Sequence, residues 1–195
     1  LILNRLNYRP RPMGGGSFNV FTPWLQDANR AFVTDPARRP AWFVANPQTI
    51  DHRLLVQDDP GTLRALLDDY EPAATEQGLV LFRARPGAPA AAAPRFIGAQ
   101  PVVLGQPVAL PEVGADEILL ASFHLPPSWT GRLRALLYKP ALLFADLGGT
   151  GLRDPHRRRI VPALVRNPVP LHPLIEDTRD LVALYGGDTG KAVRE

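Results

Sequence analysis

Thirty residues, Ala41 to Tyr70, constrain the fold more than any other part of this chain, because strand, stop, turn and capped helix follow one another without a gap. Trp42, Phe43 and Val44 form a short apolar run that Asn46-Pro47 ends, since the residue before a proline is pushed to extended geometry and the proline has no N–H for a ladder. Asp59 then stands as a helix N-cap with Pro60 at the first helical position, and Leu63, Leu66 and Leu67 give that helix an apolar stripe. Between the two lies Thr49-Ile50-Asp51-His52-Arg53, the densest ionisable cluster beside the expected core.

The pattern repeats on both sides of this stretch. Leu3, Leu6 and Tyr8 suit a first strand, and Thr22-Pro23 opens a helix through Trp24, Leu25, Ala28 and Phe32 that Asp35-Pro36 ends. Gly78 to Arg83 supplies a further strand. Alternating strands and helices predict a small α/β layer over residues 1–85, like half of a Rossmann-like unit on a largely parallel sheet. Residues 86–94 read as a linker, within the proline- and alanine-rich stretch RPGAPAAAAP.

The character changes after the linker. Gln100 to Pro111, Glu117 to Leu125, Ala141 to Leu147, Arg159 to Val165 and Val169 to Ile175 are apolar runs punctuated by proline and glycine, which predicts a β-sandwich-like unit over residues 95–195. Leu133, Leu136 and Leu137 share a face of a helical turn, and Gly148 to Gly151 suits a hairpin. A short helix from Asp177 stops at Gly186, and Lys191 to Glu195 suits the start of another strand. The expected class is therefore α+β.

At 195 residues with 45% apolar content the chain has enough apolar material for one sizeable core or two small ones. Its net charge of +3 is small, and its cations are scattered arginines; a nucleic-acid partner is not expected, because such proteins gather charge on one face. The one basic run, Arg157-Arg158-Arg159, reads as a solvated turn. The absence of cysteine excludes disulfides and thiolate metal sites. No apolar stretch approaches the ~20 residues that span a bilayer, and the start at Leu1 suggests a piece of a longer protein.

Several constellations carry chemistry. Asp51 and Arg53, two apart, make either a polar contact point for a sugar or phosphate at the end of the Trp42–Val44 strand or a loop-fixing ion pair. Asp58 and Asp59 suit an acid–base pair or a divalent cation, although capping explains Asp59 fully. Trp129 and Tyr138 flank Gly131-Arg132 and suit stacking on a sugar ring, or else a core position. Gly14-Gly15-Gly16 lacks the Gly-Lys-Ser/Thr ending of a phosphate loop, and no serine sits in a Gly-x-Ser-x-Gly elbow. His52, His124, His156 and His172 lack zinc-ligand spacing. No cofactor is expected.

Pro47-Gln48-Thr49-Ile50-Asp51 with Arg53, Asp58-Asp59, Gly131-Arg132-Leu133, Leu137-Tyr138-Lys139-Pro140 and Arg159-Ile160-Val161-Pro162 together resemble the C-terminal extracytoplasmic region of a group of uncharacterised bacterial polytopic membrane proteins related to lipid-linked-sugar glycosyltransferases. The resemblance runs from about Tyr8 to Tyr185. It departs at Gly14-Gly15-Gly16, where a polar and aromatic segment is usual, and at His172-Pro173, where serine usually precedes the proline. It implies a catalytic carboxylate in a membrane loop upstream. This part of the chain is then a non-catalytic domain on the periplasmic face of the inner membrane, partnered by the transmembrane part of the same polypeptide and contacting a glycan or lipid-linked sugar. A soluble enzyme on a glycan or sugar phosphate, with Asp51, Arg53 and Asp58 at its site, is the alternative, and a carbohydrate-binding module using Trp129 and Tyr138 is a third.

Overall fold

A computed structural model describes residues 9–13, 20–87, 93–114, 117–148 and 156–185. In chain order it has α1 (Pro23–Thr34), β1 (Trp42–Ala45), a 3-10 turn (Leu55–Gln57), α2 (Pro60–Asp69), β2 (Tyr70–Glu76), β3 (Leu79–Ala84), β4 (Leu119–Ala121), α3 (Trp129–Leu137), β5 (Leu143–Leu147), β6 (His156–Ile160), β7 (Val169–His172) and α4 (Thr178–Ala183). The α+β class holds. The expected first strand, the glycine triplet, the end of the hairpin loop and the last segment fall outside the described residues.

The caps read from sequence at Thr22 and Asp59 form as expected, and Ser128 and Asp177 supply two more that went unread. The Thr22 hydroxyl accepts from the Leu25 N–H, Asp59 accepts from Thr62 N–H, Ser128 from Gly131 N–H and Asp177 from Arg179 and Asp180 N–H.

Among the described residues no parallel sheet forms. β1, β3 and β2 make one antiparallel sheet in that order, and β4–β7 and β5–β6 make two further antiparallel ladders. The reason is local. Gln77 and Gly78 both take positive φ, 48° and 80°, the two-residue turn that closes an antiparallel hairpin, so β2 and β3 have no room for a crossover helix. β2 went unread because Tyr70-Glu71-Pro72-Ala73-Ala74 shows no alternation. It is an edge strand, where a proline is tolerated, and its register slips between Pro72 and Ala74.

The sandwich expectation is likewise reduced to short ladders. Residues 100–111 form no strand and are exposed, since Pro101, Pro107 and Pro111 each remove a ladder donor. Only Leu119–Ala121 of the next run is extended in a sheet. Arg157-Arg158-Arg159 belongs to β6 and not to a solvated turn; Arg157 lies 4.8 Å over the Phe144 ring on the neighbouring strand, and Arg158 pairs with Glu176.

The core draws on both sides of the linker. Leu54, Val56, Leu66, Tyr70, Val80 and Phe82 pack with Val169, Ile175 and Leu181, and the Phe82 and Tyr185 rings lie 5.7 Å apart. Gln57, fully buried, ties the two sides together: its amide donates to the Arg159 carbonyl (2.8 Å) and its carbonyl accepts from Val161 N–H (2.8 Å). The same strand is joined to the ionisable loop by Leu54 N–H to Arg159 C=O (3.1 Å) and Arg159 N–H to His52 C=O (2.7 Å). At the far end, Thr178 donates to the Gly78 carbonyl, which docks α4 on the β2–β3 turn.

Candidate functional site

The ionisable loop folds around Arg53. Asp51 and His52 both take φ near 54°, a left-handed turn that reverses the chain after Pro47 and delivers Arg53 into a parallel bridge with Arg159. The Arg53 side chain is buried, 5.6 Å over the Phe21 ring, with Asp58 at 3.6 Å and Asp51 at 3.8 Å from its terminal nitrogens. Asp51 also reaches Arg159 at 3.3 Å and stays largely exposed. Three of the residues singled out from sequence, Asp51, Arg53 and Asp58, therefore do meet, and they meet about one guanidinium turned into the protein.

Asp58 is the most deeply buried carboxylate of the cluster. It sits just after the 3-10 turn, is 1% exposed, and neither carboxylate oxygen has a hydrogen bond among the described residues. Removal from water disfavours its charged form more than the Arg53 guanidinium favours it, so its pKa is pushed up to about 6.

Asp59 sits in better company. Its carboxylate caps α2 through Thr62 N–H, accepts from the Asn29 amide at 3.0 Å and pairs with Arg11 at 3.2 Å. Burial still raises its pKa, with the Asn29 and Thr62 hydrogen bonds opposing the shift.

A polar seam links these groups to α1, and sequence reasoning missed it. The buried face of α1 carries Gln26, Asn29 and Val33, whereas Trp24 of the expected apolar stripe is exposed and Leu25, Ala28 and Phe32 are only half-buried. Asn29 accepts from Met13 N–H at 3.1 Å while donating to Asp59, and the Gln26 carbonyl accepts from the Asn167 amide. The available signal was the i, i+3, i+7 spacing of Gln26, Asn29 and Val33, which an apolar count passes over. Beside the seam, a cleft of about 250 Å³ opens between β1 and α2, lined mainly by apolar groups with Arg11, Asp59 and Thr62 at its polar end.

Trp129 and Tyr138 lie elsewhere. Trp129 is the first residue of α3 and Tyr138 its C-cap, and they are 73% and 67% exposed. α3 makes none of the Arg53 contacts given above. Nor do the described residues contain a group of three or more side chains placed to hold a metal ion, and no described helix is long and apolar enough to cross a membrane.

Comparison with known proteins finds no matching family model, no similar curated protein and no similar solved structure.

Proposed function

We propose that this chain is a non-catalytic extracytoplasmic domain of a bacterial envelope membrane protein, joined to a transmembrane part of the same polypeptide, and that it contacts a glycan or lipid-linked sugar through Trp129 and Tyr138. The observation that carries the reading is the exposure of both rings at the two ends of a helix with no buried residue. An aromatic face offers a sugar ring a large apolar area without desolvating a charge. The acidic groups support the same reading from the other side: Asp59 is engaged in a cap and an ion pair, and Asp58 faces a buried guanidinium.

The test is calorimetric titration of the purified chain with soluble oligosaccharides and sugar phosphates. Saturable binding that Trp129→Ala or Tyr138→Ala abolishes, with the thermal midpoint unchanged, is the expected result. Binding that survives both substitutions overturns the assignment, and turnover of a sugar phosphate that Asp58→Asn abolishes replaces it with the enzyme reading.

A further inference from the structure

Helix α3 is unusual for a helix in a folded chain: its apolar stripe faces outward. Trp129, Leu133, Leu136 and Leu137 recur at i, i+4, i+7 and i+8, the spacing that normally turns a face to the core, yet they are 73%, 54%, 80% and 80% exposed. At about 100° per residue, Arg132 falls on one flank of this stripe and Arg134 on the other, with Lys139 just beyond the C-terminal end.

The charge around the stripe is of one sign. Between residues 118 and 145 there is no aspartate or glutamate, and Arg132, Arg134 and Lys139 are exposed and form no ion pair among the described residues. A protein partner that covered an apolar stripe would leave these flanking cations without a required counterpart. A lipid surface supplies both halves at once. Leucines sink to the boundary between headgroups and acyl chains, while arginine and lysine lay their stems along the apolar layer and hold their heads at lipid phosphates.

We propose that α3 lies in the plane of an anionic bilayer surface, with Leu133, Leu136 and Leu137 inserted and Arg132, Arg134 and Lys139 on anionic headgroups. This rests on the envelope reading above and adds a partner to it: the same helix that presents Tyr138 to a sugar is held at the surface where a lipid-linked sugar resides. Trp129 and Tyr138, at the two ends of the helix, remain for the sugar contact.

Co-sedimentation of the whole chain with vesicles tests it, using phosphatidylcholine alone or mixed with phosphatidylglycerol and no saccharide. Binding to the anionic vesicles is expected, and it falls as salt is raised. A cation near such a surface is worth roughly fivefold in partition, so Arg132→Gln with Arg134→Gln is expected to lower binding about thirtyfold. Leu136→Glu with Leu137→Glu is expected to abolish it; both side chains are exposed, so an unchanged circular dichroism spectrum and melting midpoint will show that the fold is intact.

No binding by the wild-type chain to anionic vesicles overturns the proposal. Equal binding to neutral vesicles does so too, as does self-association through this face that the leucine substitutions disrupt. The vesicles carry no sugar, so failure of saccharide binding leaves this result standing. Conversely, saccharide binding without vesicle binding removes only the membrane contact.

Discussion

Asp58 makes the stability of this protein depend on pH in a direction opposite to most carboxylates. In the unfolded chain its pKa returns to 3.8, whereas in the fold it is raised to about 6 because burial outweighs the pull of Arg53. Where the native state binds the extra proton, unfolding becomes easier as pH rises. The contribution is thus fully present below pH 3.8, declines as pH climbs through about 6, and is absent above. The separation of the two values, at about 1.4 kcal/mol per pKa unit, corresponds to about 3 kcal/mol.

Asp58→Asn isolates this effect because the amide has the shape of the protonated acid and does not titrate. Urea unfolding of both proteins is followed between pH 4 and pH 7 by circular dichroism, since Trp24, Trp42 and Trp129 are all exposed and make poor reporters of the core. The expectation is that wild type loses about 2 kcal/mol more than the variant across that window, the remainder having been lost already by pH 4. Asp59, whose pKa is also raised, and Asp35 and Asp177, whose pKa values are lowered by hydrogen bonds that include an arginine partner, remain in both proteins and cancel in the difference. A difference that stays constant with pH refutes the reasoning: it would mean that Asp58 is hydrated or hydrogen-bonded to an extent its geometry does not show.

Other perturbations test neighbouring parts of the structure. Gln57→Ala leaves Val161 N–H without its buried partner and takes one of two donors from Arg159 C=O, which keeps Leu54 N–H, and is expected to lower stability by roughly 1–3 kcal/mol in urea melts. Asp51→Ala, by contrast, removes a mostly exposed carboxylate from Arg53 and Arg159 and is expected to shift stability by no more than about 1 kcal/mol. Phe82→Ala opens a cavity at the centre of the three-stranded sheet and is expected to lower stability by about 3–5 kcal/mol. Leu136→Ser in α3 is expected to change the urea midpoint by less than about 0.5 kcal/mol equivalent, whereas Leu66→Ala in α2 lowers it by about 2–5.

What could be read from the sequence divides by the range of the interaction. Caps at Thr22 and Asp59 are set by residues within three positions, and both form as read, while those at Ser128 and Asp177 follow the same local rule but went unread. Sheet direction is set by the connection between strands, and here it turned on two residues, Gln77 and Gly78, that carry no strong hairpin signature. The buried face of α1 was illegible for a different reason: its partners, Met13, Asp59 and Asn167, come from three distant segments, and a polar seam satisfied over such distances has no periodic apolar mark. The pairing of Asp51 with Arg53 was legible from their spacing, but the burial of Arg53 and Asp58 was not, because it depends on Phe21 and on β6 covering the loop.

The contrast between α2 and α3 shows why an apolar stripe alone does not decide what a helix is for. Both are short, both are capped by an oxygen side chain, and both place leucines at helical spacing. The α2 stripe is followed at once by β2, whose hairpin with β3 folds back under it, so Leu66 is buried against Phe82 and Tyr70. The α3 stripe sits between two proline-bounded segments, Pro126-Pro127 and Pro140, and each proline removes a donor that would let the flanking chain join a ladder beneath the helix. Among the described residues the chain around α3 builds no surface for it to pack on, and its cations and aromatics remain outside. An apolar helix face left uncovered is a standing free-energy penalty in water, one that a second phase or a partner covering that face would remove.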